Sequence, residues 1–356
     1  MRSFADGWVR PEAAELDAGR GFPLAALGEA SSRGLMGMLV PPDWGGLGLS
    51  HLHFAVAIEE IARACASTAV IVDVHNSVAM EPLLLFGTDV QRASWLRRLA
   101  SGTCLGAFAL TEPASGSDAA SMRSTASPCA GGWVLRGTKT FITNLGRAGL
   151  YTVFARSPEG ISAFLVPAGA PGLRPGQVFR KMGLHGSPTG ELVLDEVQVG
   201  EESLLGEPGR GFAVAMTALD SGRIGISGQA LGLAQAALDD LVAAAPGASP
   251  LSQGIQFQLA DLAASLEAAR SLTYHAARLC DRGLPFTREA AMAKLMATET
   301  AVRTATDAMS LAADMGCSLE DAGRRFRDAR ALTIYEGSSQ VQKLVIARDL
   351  LRRGKA

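Results

Sequence analysis

The sequence predicts an α+β protein of several layers: an N-terminal α-helical domain, a middle β-barrel-like domain and a C-terminal four-helix bundle. Three observations predict it. Apolar residues recur at helical spacing through residues 1–104, short β-branched runs broken by Gly and Pro fill 105–206, and Ala-rich helical stretches return over 207–356. At 356 residues the chain is long enough for two or three domains, or for one large multi-layered subunit.

In the first segment, Ala55 to Ala62 carries apolar residues at helical spacing, and Val90 to Ala100 interleaves arginines with Trp95, Leu96 and Leu99. Between them, Pro41 to Gly48 is rich in residues that end helices and permit tight turns. The middle segment offers strands at Trp133–Leu135, Lys139–Thr143, Tyr151–Ala155, Ile161–Val166 and Leu192–Val199. In the third, Ile255, Leu259, Leu262, Leu266 and Ala269 share one helical face. Gly211–Leu241, Arg288–Met315 and Ser339–Arg352 complete a bundle of four helices. Ser339 and Gln342 have the spacing of a capping box, which sets Glu336 just before the last helix.

Composition narrows the function classes. Apolar residues make up 48% and charged residues 19%, with a formal net charge of −2, so neither nucleic acid nor an anionic membrane is indicated as partner. The arginines are scattered, as on an ion-paired or solvated surface. The five cysteines (Cys65, Cys104, Cys129, Cys280, Cys317) are odd in number and widely spaced, which argues against a disulfide framework and against a zinc site. A reducing cytoplasm is the expected compartment. Met1 to Asp17 carries acids and lacks a continuous apolar stretch, unlike a signal peptide, and no stretch reads as both long and apolar enough to span a bilayer.

Four short motifs bear chemistry. Tyr335-Glu336-Gly337-Ser338-Ser339-Gln340-Val341 sets a carboxylate before Gly337, which has no side chain to keep substrate or backbone away, so Glu336 is a candidate general base. Helix capping is the plainer role for the same residues. Leu110-Thr111-Glu112-Pro113-Ala114-Ser115-Gly116-Ser117-Asp118 follows an apolar strand; its backbone N–H groups and hydroxyls could bind a flavin edge or a pyrophosphate, or form an ordinary turn. Lys139 to Asn144 reads as a strand with Phe141 and Thr143 on one face, suited to a flat ring or to a core. Asp220-Ser221-Gly222-Arg223 could hold a polar pantetheine chain or form a local ion pair. A Rossmann glycine motif and a nucleophile elbow are both missing, and His51-Leu52-His53 lacks further ligands at metal spacing.

Taken in order, these residues resemble the acyl-CoA dehydrogenase family nearly end to end. The resemblance is carried by Pro41-x-x-Trp44-Gly45-Gly46-Leu47-Gly48, Thr111-Glu112-Pro113-x-x-Gly116-Ser117-Asp118 and Lys139-x-x-Ile142-Thr143-Asn144, and further by Lys181-Met182-Gly183 with Ser187-Pro188-Thr189, Arg327-Asp328-Ala329 and Tyr335-Glu336-Gly337. It implies an FAD enzyme that oxidises the Cα–Cβ bond of an acyl thioester. Phe108 through Ser117, including Leu110, Thr111 and Gly116, would line the flavin, with Phe141, Ile142 and Thr143 on its other side. Ser338, Ser339 and Gln340 would touch FAD. Ser117, Asp220, Arg223 and Gly337 would contact the thioester, and Glu336 would remove the α-proton. Some branches carry the base at the position of Gly222; its absence there favours Glu336 and a short- or medium-chain-like member.

The resemblance further implies an electron-transfer flavoprotein or other acceptor and a homo-oligomer, dimer or tetramer. Two segments depart from the family pattern. Leu241 to Pro250 replaces an Arg-x-x-Phe-Gly segment and reads as a loop, and Met309 to Met315 replaces Gln-x-x-Gly-Gly-x-Gly. Both belong to the adenine end of the cofactor site. They motivate two alternatives to an acyl-CoA substrate: an acyl group on a pantetheinyl carrier protein, and a non-catalytic partner-binding subunit. Leu219 and Leu184 are candidates for the floor of the acyl pocket.

Overall fold

The computed structural model describes residues 1–245 and 251–353. Short helices α1 (Arg2–Phe4) and α2 (Ala13–Asp17) lead into α3 (Leu24–Ser32), α4 (His51–Ala64), α5 (Ala66–Val74), α6 (Glu81–Phe86) and α7 (Asp89–Ala100). Local chemistry sets the ends of these helices. The Ser50 side chain caps α4, and Thr88 with Gln91 forms a reciprocal capping box on α7. The expected break at Pro41–Gly48 is a single 3₁₀ turn closed by Gly45 at φ +85°.

The middle segment has eight strands: β1 (Leu105–Ala109), β2 (Thr125–Cys129), β3 (Gly132–Thr143), β4 (Ala148–Ser157), β5 (Gly160–Pro167), β6 (Leu173–Val178), β7 (Thr189–Gly200) and β8 (Leu204–Leu205). They form one sheet in the order β6-β7-β3-β2-β4-β5-β8, with β1 parallel to β4. Each expected strand is present, and β2, β6 and β8 are added. The barrel-like domain lacks hydrogen-bonded closure, because β1 and β2 share the same edge of β4 and the outer strands β6 and β8 do not pair among the described residues.

Five helices follow: α8 (Gly211–Ala244), α9 (Gln253–Asp281), α10 (Thr287–Met315), α11 (Leu319–Leu332) and α12 (Ser339–Arg353). The bundle is expected from four helices, and α11 is the additional one. Its polar surface hides it from a periodicity reading, but Ser318 caps it and Glu320 and Asp321 occupy its first turn. Leu241 to Ala244, expected as loop, continues α8 because Leu241 extends its buried face; Pro246 to Pro250 lie outside the described residues. Met309 to Met315 completes α10, which stops at Gly316 in the left-handed region.

Helix α10 packs on α8 and α9 through fully buried alanines at 290, 293, 297, 301 and 305. Helix α8 is the spine. One side faces the bundle, and the other carries glycines at 222, 225, 228 and 232 against the N-terminal helices. A Cβ on Gly228 would meet the Ala55 carbonyl at 2.6 Å, and one on Gly232 would fall on the Glu59 carbonyl. Small residues let α4 and α5 rest directly on the α8 backbone.

One expectation about membranes is corrected. The helical run Ala66–Phe86, 21 residues with an 18-residue stretch at a mean hydropathy of 1.4, is long and apolar enough to cross a bilayer, but 83% of that stretch is buried inside the molecule. Its apolarity serves the core between the sheet and α8.

Candidate active site

Two walls built from distant segments converge. The first grows from β1. After Phe108, the chain turns at Thr111–Ser117, and Glu112 holds the turn in place. Its carboxylate accepts from Arg123 N (2.6 Å), Ser124 N (2.9 Å) and the ammonium of Lys139 (2.8 Å), which has no exposure. Burial works against ionisation here, but Lys139 and the two N–H donors hold the Glu112 acid down to about 2. Lys139 also donates to the Leu110 carbonyl at 3.1 Å, and Thr140 N to the Thr111 carbonyl at 2.8 Å, so β3 fixes the turn.

Beyond Lys139 the register of β3 against β7 shifts, and Phe141 sits at φ +58° with 66% of its surface exposed. The bulge separates the residues expected on one face. Phe141 is thrown outward against Phe179, with ring centroids 5.2 Å apart, whereas Thr143 is half-buried. Ile142 and Leu110 are buried in the core, so only their backbones can border a ligand. Gly116 and Ser117 lie at the surface, with open space around Gly116.

The second wall is the turn between α11 and α12. Glu336 adopts φ +50° and Gly337 φ +91°, the former a strained conformation for a non-glycine residue. Three hydrogen bonds hold the turn: Gln342 Nε2 donates to the carbonyls of Glu336 (3.2 Å) and Gly337 (2.8 Å), and Lys294 Nζ to the Gly337 carbonyl (2.8 Å). The capping-box reading is corrected accordingly. The hydroxyl of Ser338 accepts from Val341 N at 3.4 Å, Ser339 is buried and donates to Glu299 at 2.6 Å, and Gln342 serves the turn's carbonyls. Gln340 is exposed.

Both carboxylate oxygens of Glu336 are sealed from solvent without a hydrogen-bond partner. Burial pushes the acid up to about 7, against the pull of Lys294 and Arg223. Gly222 makes room for it, since a Cβ there would lie 2.5 Å from Glu336 Oε2 and 2.8 Å from Val78. The next residue, buried Arg223, pairs with Asp220 at 2.5 Å, and Asp220 also accepts from Thr287.

The two walls meet in one apolar cluster: Val70, Val74, Val78 and Ala218, with Phe108, Leu219 and Tyr335 packed against it. The cluster joins β1 to the Glu336 turn. Leu219 packs against this cluster. Leu184 lies outside it; it packs among α8 and the bundle helices and its N–H donates to Asp328.

Lys294, Asp73 and the valines of α5 escaped the sequence reading. Lys294 had a legible signal, as a lysine placed on the buried alanine stripe of α10. Among the described residues, no cluster of His, Cys, Asp and Glu suits a metal ion, and the five cysteines are free.

Comparison with known proteins covers the whole chain. Residues 1–103, 107–197 and 209–351 match the N-terminal, middle and C-terminal domain models of the acyl-CoA dehydrogenases. The chain is 47% identical to the short-chain specific acyl-CoA dehydrogenase of Bos taurus mitochondria, over 99% of this chain and 88% of that protein. The butyryl-CoA dehydrogenase structure from Megasphaera elsdenii superposes with a TM-score of 0.94 at 38% identity, over 98% of this chain and 96% of that one. The prolyl acyl carrier protein oxidase AnaB superposes with a TM-score of 0.90 at 27% identity, over 98% of each chain.

Proposed function

Because the chain belongs to the acyl-CoA dehydrogenase family, FAD-binding oxidoreductases acting on a CH–CH bond, we propose that it removes the α-proton of an acyl thioester with Glu336 as the base. The observation that carries this is the buried, unpartnered Glu336 carboxylate, lying against bare Gly222 on the cluster that also contains Phe108.

The residues fit a flavin. Phe141 offers an exposed ring at a strained φ, and the Thr111–Ser117 turn offers half-buried and exposed hydroxyls beside open space at Gly116. Thr111, Gly116, Ser117, Phe141 and Thr143 would hold FAD, with Ser338 and Gln340 as further contacts; when bound, it supplies the acceptor for the β-hydride. The protein supplies the rest. Glu336, pushed to about 7, is poised to take a proton near neutrality. Lys294 and Arg223 stabilise its ionised form. The cluster excludes water, and Asp220 with Arg223 forms a polar rim suited to a pantetheine arm.

Anaerobic mixing of the FAD-loaded protein with butyryl-CoA tests the reading: loss of oxidised-flavin absorbance is expected, and its persistence with every thioester overturns it. A carrier-protein thioester is the second reading, favoured by the similarity to AnaB. Presenting one acyl group on CoA and on a carrier protein separates the two, and equal rates retain CoA. An electron-transfer flavoprotein as acceptor, a homo-oligomer and a cytoplasmic location complete the proposal.

A further inference from the structure

Asp73 lies on α5 without exposure. Its Oδ1 packs on Gly225 of α8 and accepts from Ser77 Oγ at 3.4 Å, while Oδ2 has no partner. A Cβ on Gly225 would fall on Asp73, just as one on Gly222 would fall on Glu336. Helix positions three apart are neighbours, about 5–6 Å between Cβ atoms. The two carboxyls therefore lie along one strip of α8, a turn apart. Val70 and Val74 of the apolar cluster flank Asp73 on its own helix. An alkyl group in that cluster has no use for a carboxyl, and a buried oxygen without a partner is a standing cost.

The charges around the strip do not balance. Its cations are Lys294 of α10 and Arg223 of α8; its carboxyls are Asp220, Glu336 and Asp73, with Glu299, which accepts from Ser339, also acting on Lys294. Asp220 takes Arg223, and Lys294 acts on Glu336. The remaining polar neighbours are Ser77 and Tyr335, whose hydroxyl donates to Gln229 at 2.5 Å. Glu81 is already engaged by His51 and Ser221. One carboxyl is left without a counter-charge.

We propose that Asp73 determines specificity by receiving an amine carried on the acyl group of the substrate. This rests on the dehydrogenase reading and names the substrate class. An ammonium supplies both the missing hydrogen bond and the missing charge, whereas a hydroxyl supplies only the first. Burial, with Glu336 nearby, pushes Asp73 well above the ordinary carboxylate range, so it keeps its proton until a cation beyond Lys294 and Arg223 enters the strip. A bound ammonium lets both groups ionise, which frees Glu336 to act as base. The step is otherwise that of any acyl thioester: the α-proton goes to Glu336, the β-hydrogen leaves with its electron pair to the flavin, and the amine keeps its proton.

The test uses FAD-loaded protein and two isosteric pairs of CoA thioesters: β-alanyl against butyryl, and 4-(dimethylamino)butyryl against 5-methylhexanoyl. The amine should reduce the flavin faster in at least one pair, by about tenfold or more, and Asp73→Asn should bring that ratio towards one. Infrared spectra give a second readout that needs no variant: a protonated-carboxyl band present in the free protein and lost on binding the amine thioester. Preference for the uncharged member of both pairs, an unchanged ratio in D73N, or no such band overturns the inference while leaving the dehydrogenase reading intact. Failure of all four thioesters to reduce the flavin overturns both.

Discussion

Lys294 donates to the carbonyl of Gly337 at 2.8 Å, so the residue that follows the proposed base is tied to a helical residue 43 positions upstream. That ammonium has no exposed surface, and burial brings it down to about 8. Its charge favours ionised Glu336. Replacing it with Met removes the cation, raises the Glu336 pKa and moves the acid limb of the flavin-reduction profile to higher pH, by about one unit. Lys294→Arg should keep the limb near its original place. A role confined to holding the turn would slow both variants without moving the limb.

Glu336→Gln keeps the shape of the turn and removes the base. The variant should still bind FAD and purify yellow, while reduction by thioester falls by roughly 10²–10⁴-fold. Stopped-flow absorbance under anaerobic conditions measures it.

Gly222→Ala places a methyl 2.5 Å from Glu336 Oε2, and Val78 leaves it no room to shift. The carboxylate must move, and displacements of about 1 Å at a reacting group cost about a hundredfold. The expected signature is a fall in kcat with the fold retained, checked by circular dichroism alongside turnover.

Glu112→Gln strands the Lys139 ammonium, which is fully buried and pairs with Glu112 at 2.8 Å. Breaking a buried pair from one side costs about 3–5 kcal/mol. The Tm should fall, and FAD should dissociate more readily because the Thr111–Ser117 turn loses its anchor. Calorimetry and flavin release by dialysis report the two effects separately.

His75 is buried and neutral: Nδ1 accepts from Gly106 N at 3.0 Å and Nε2 donates to the Leu99 carbonyl at 3.0 Å. Burial pulls it down from 6.5 to about 4. Because the unfolded chain binds this proton more readily, stability is complete above pH 6.5 and is lost as pH falls towards 4, on the order of 3 kcal/mol in all. Denaturant midpoints across that range should fall steeply for the wild type. His75→Asn should start lower and show a shallower slope.

Much of this was legible in the chain because it is local. Helical spacing in α4 and α9, β-branched runs in β4 and β5, and the motifs around Thr111 and Glu336 each report on their own segment. What escaped depends on partners distant in sequence. Lys294 matters through the Gly337 carbonyl it reaches, and Asp73 through a glycine on another helix. Helix α11 escaped because half of its fourteen residues are charged, which masks the thin buried stripe of Ala322, Ala329 and Leu332. The bulge at Phe141 lay hidden because a shift in register leaves no signature in a short strand motif.

The glycine column of α8 has a thermodynamic consequence. Helices drawn from the first and third segments touch backbone to backbone, so neither can loosen without exposing the other's peptide groups. Residues near 60 and near 230 should therefore open as one cooperative unit, with their amide protons protected by a common opening free energy equal to that of global unfolding. Enlarging a single glycine there would split that unit in two.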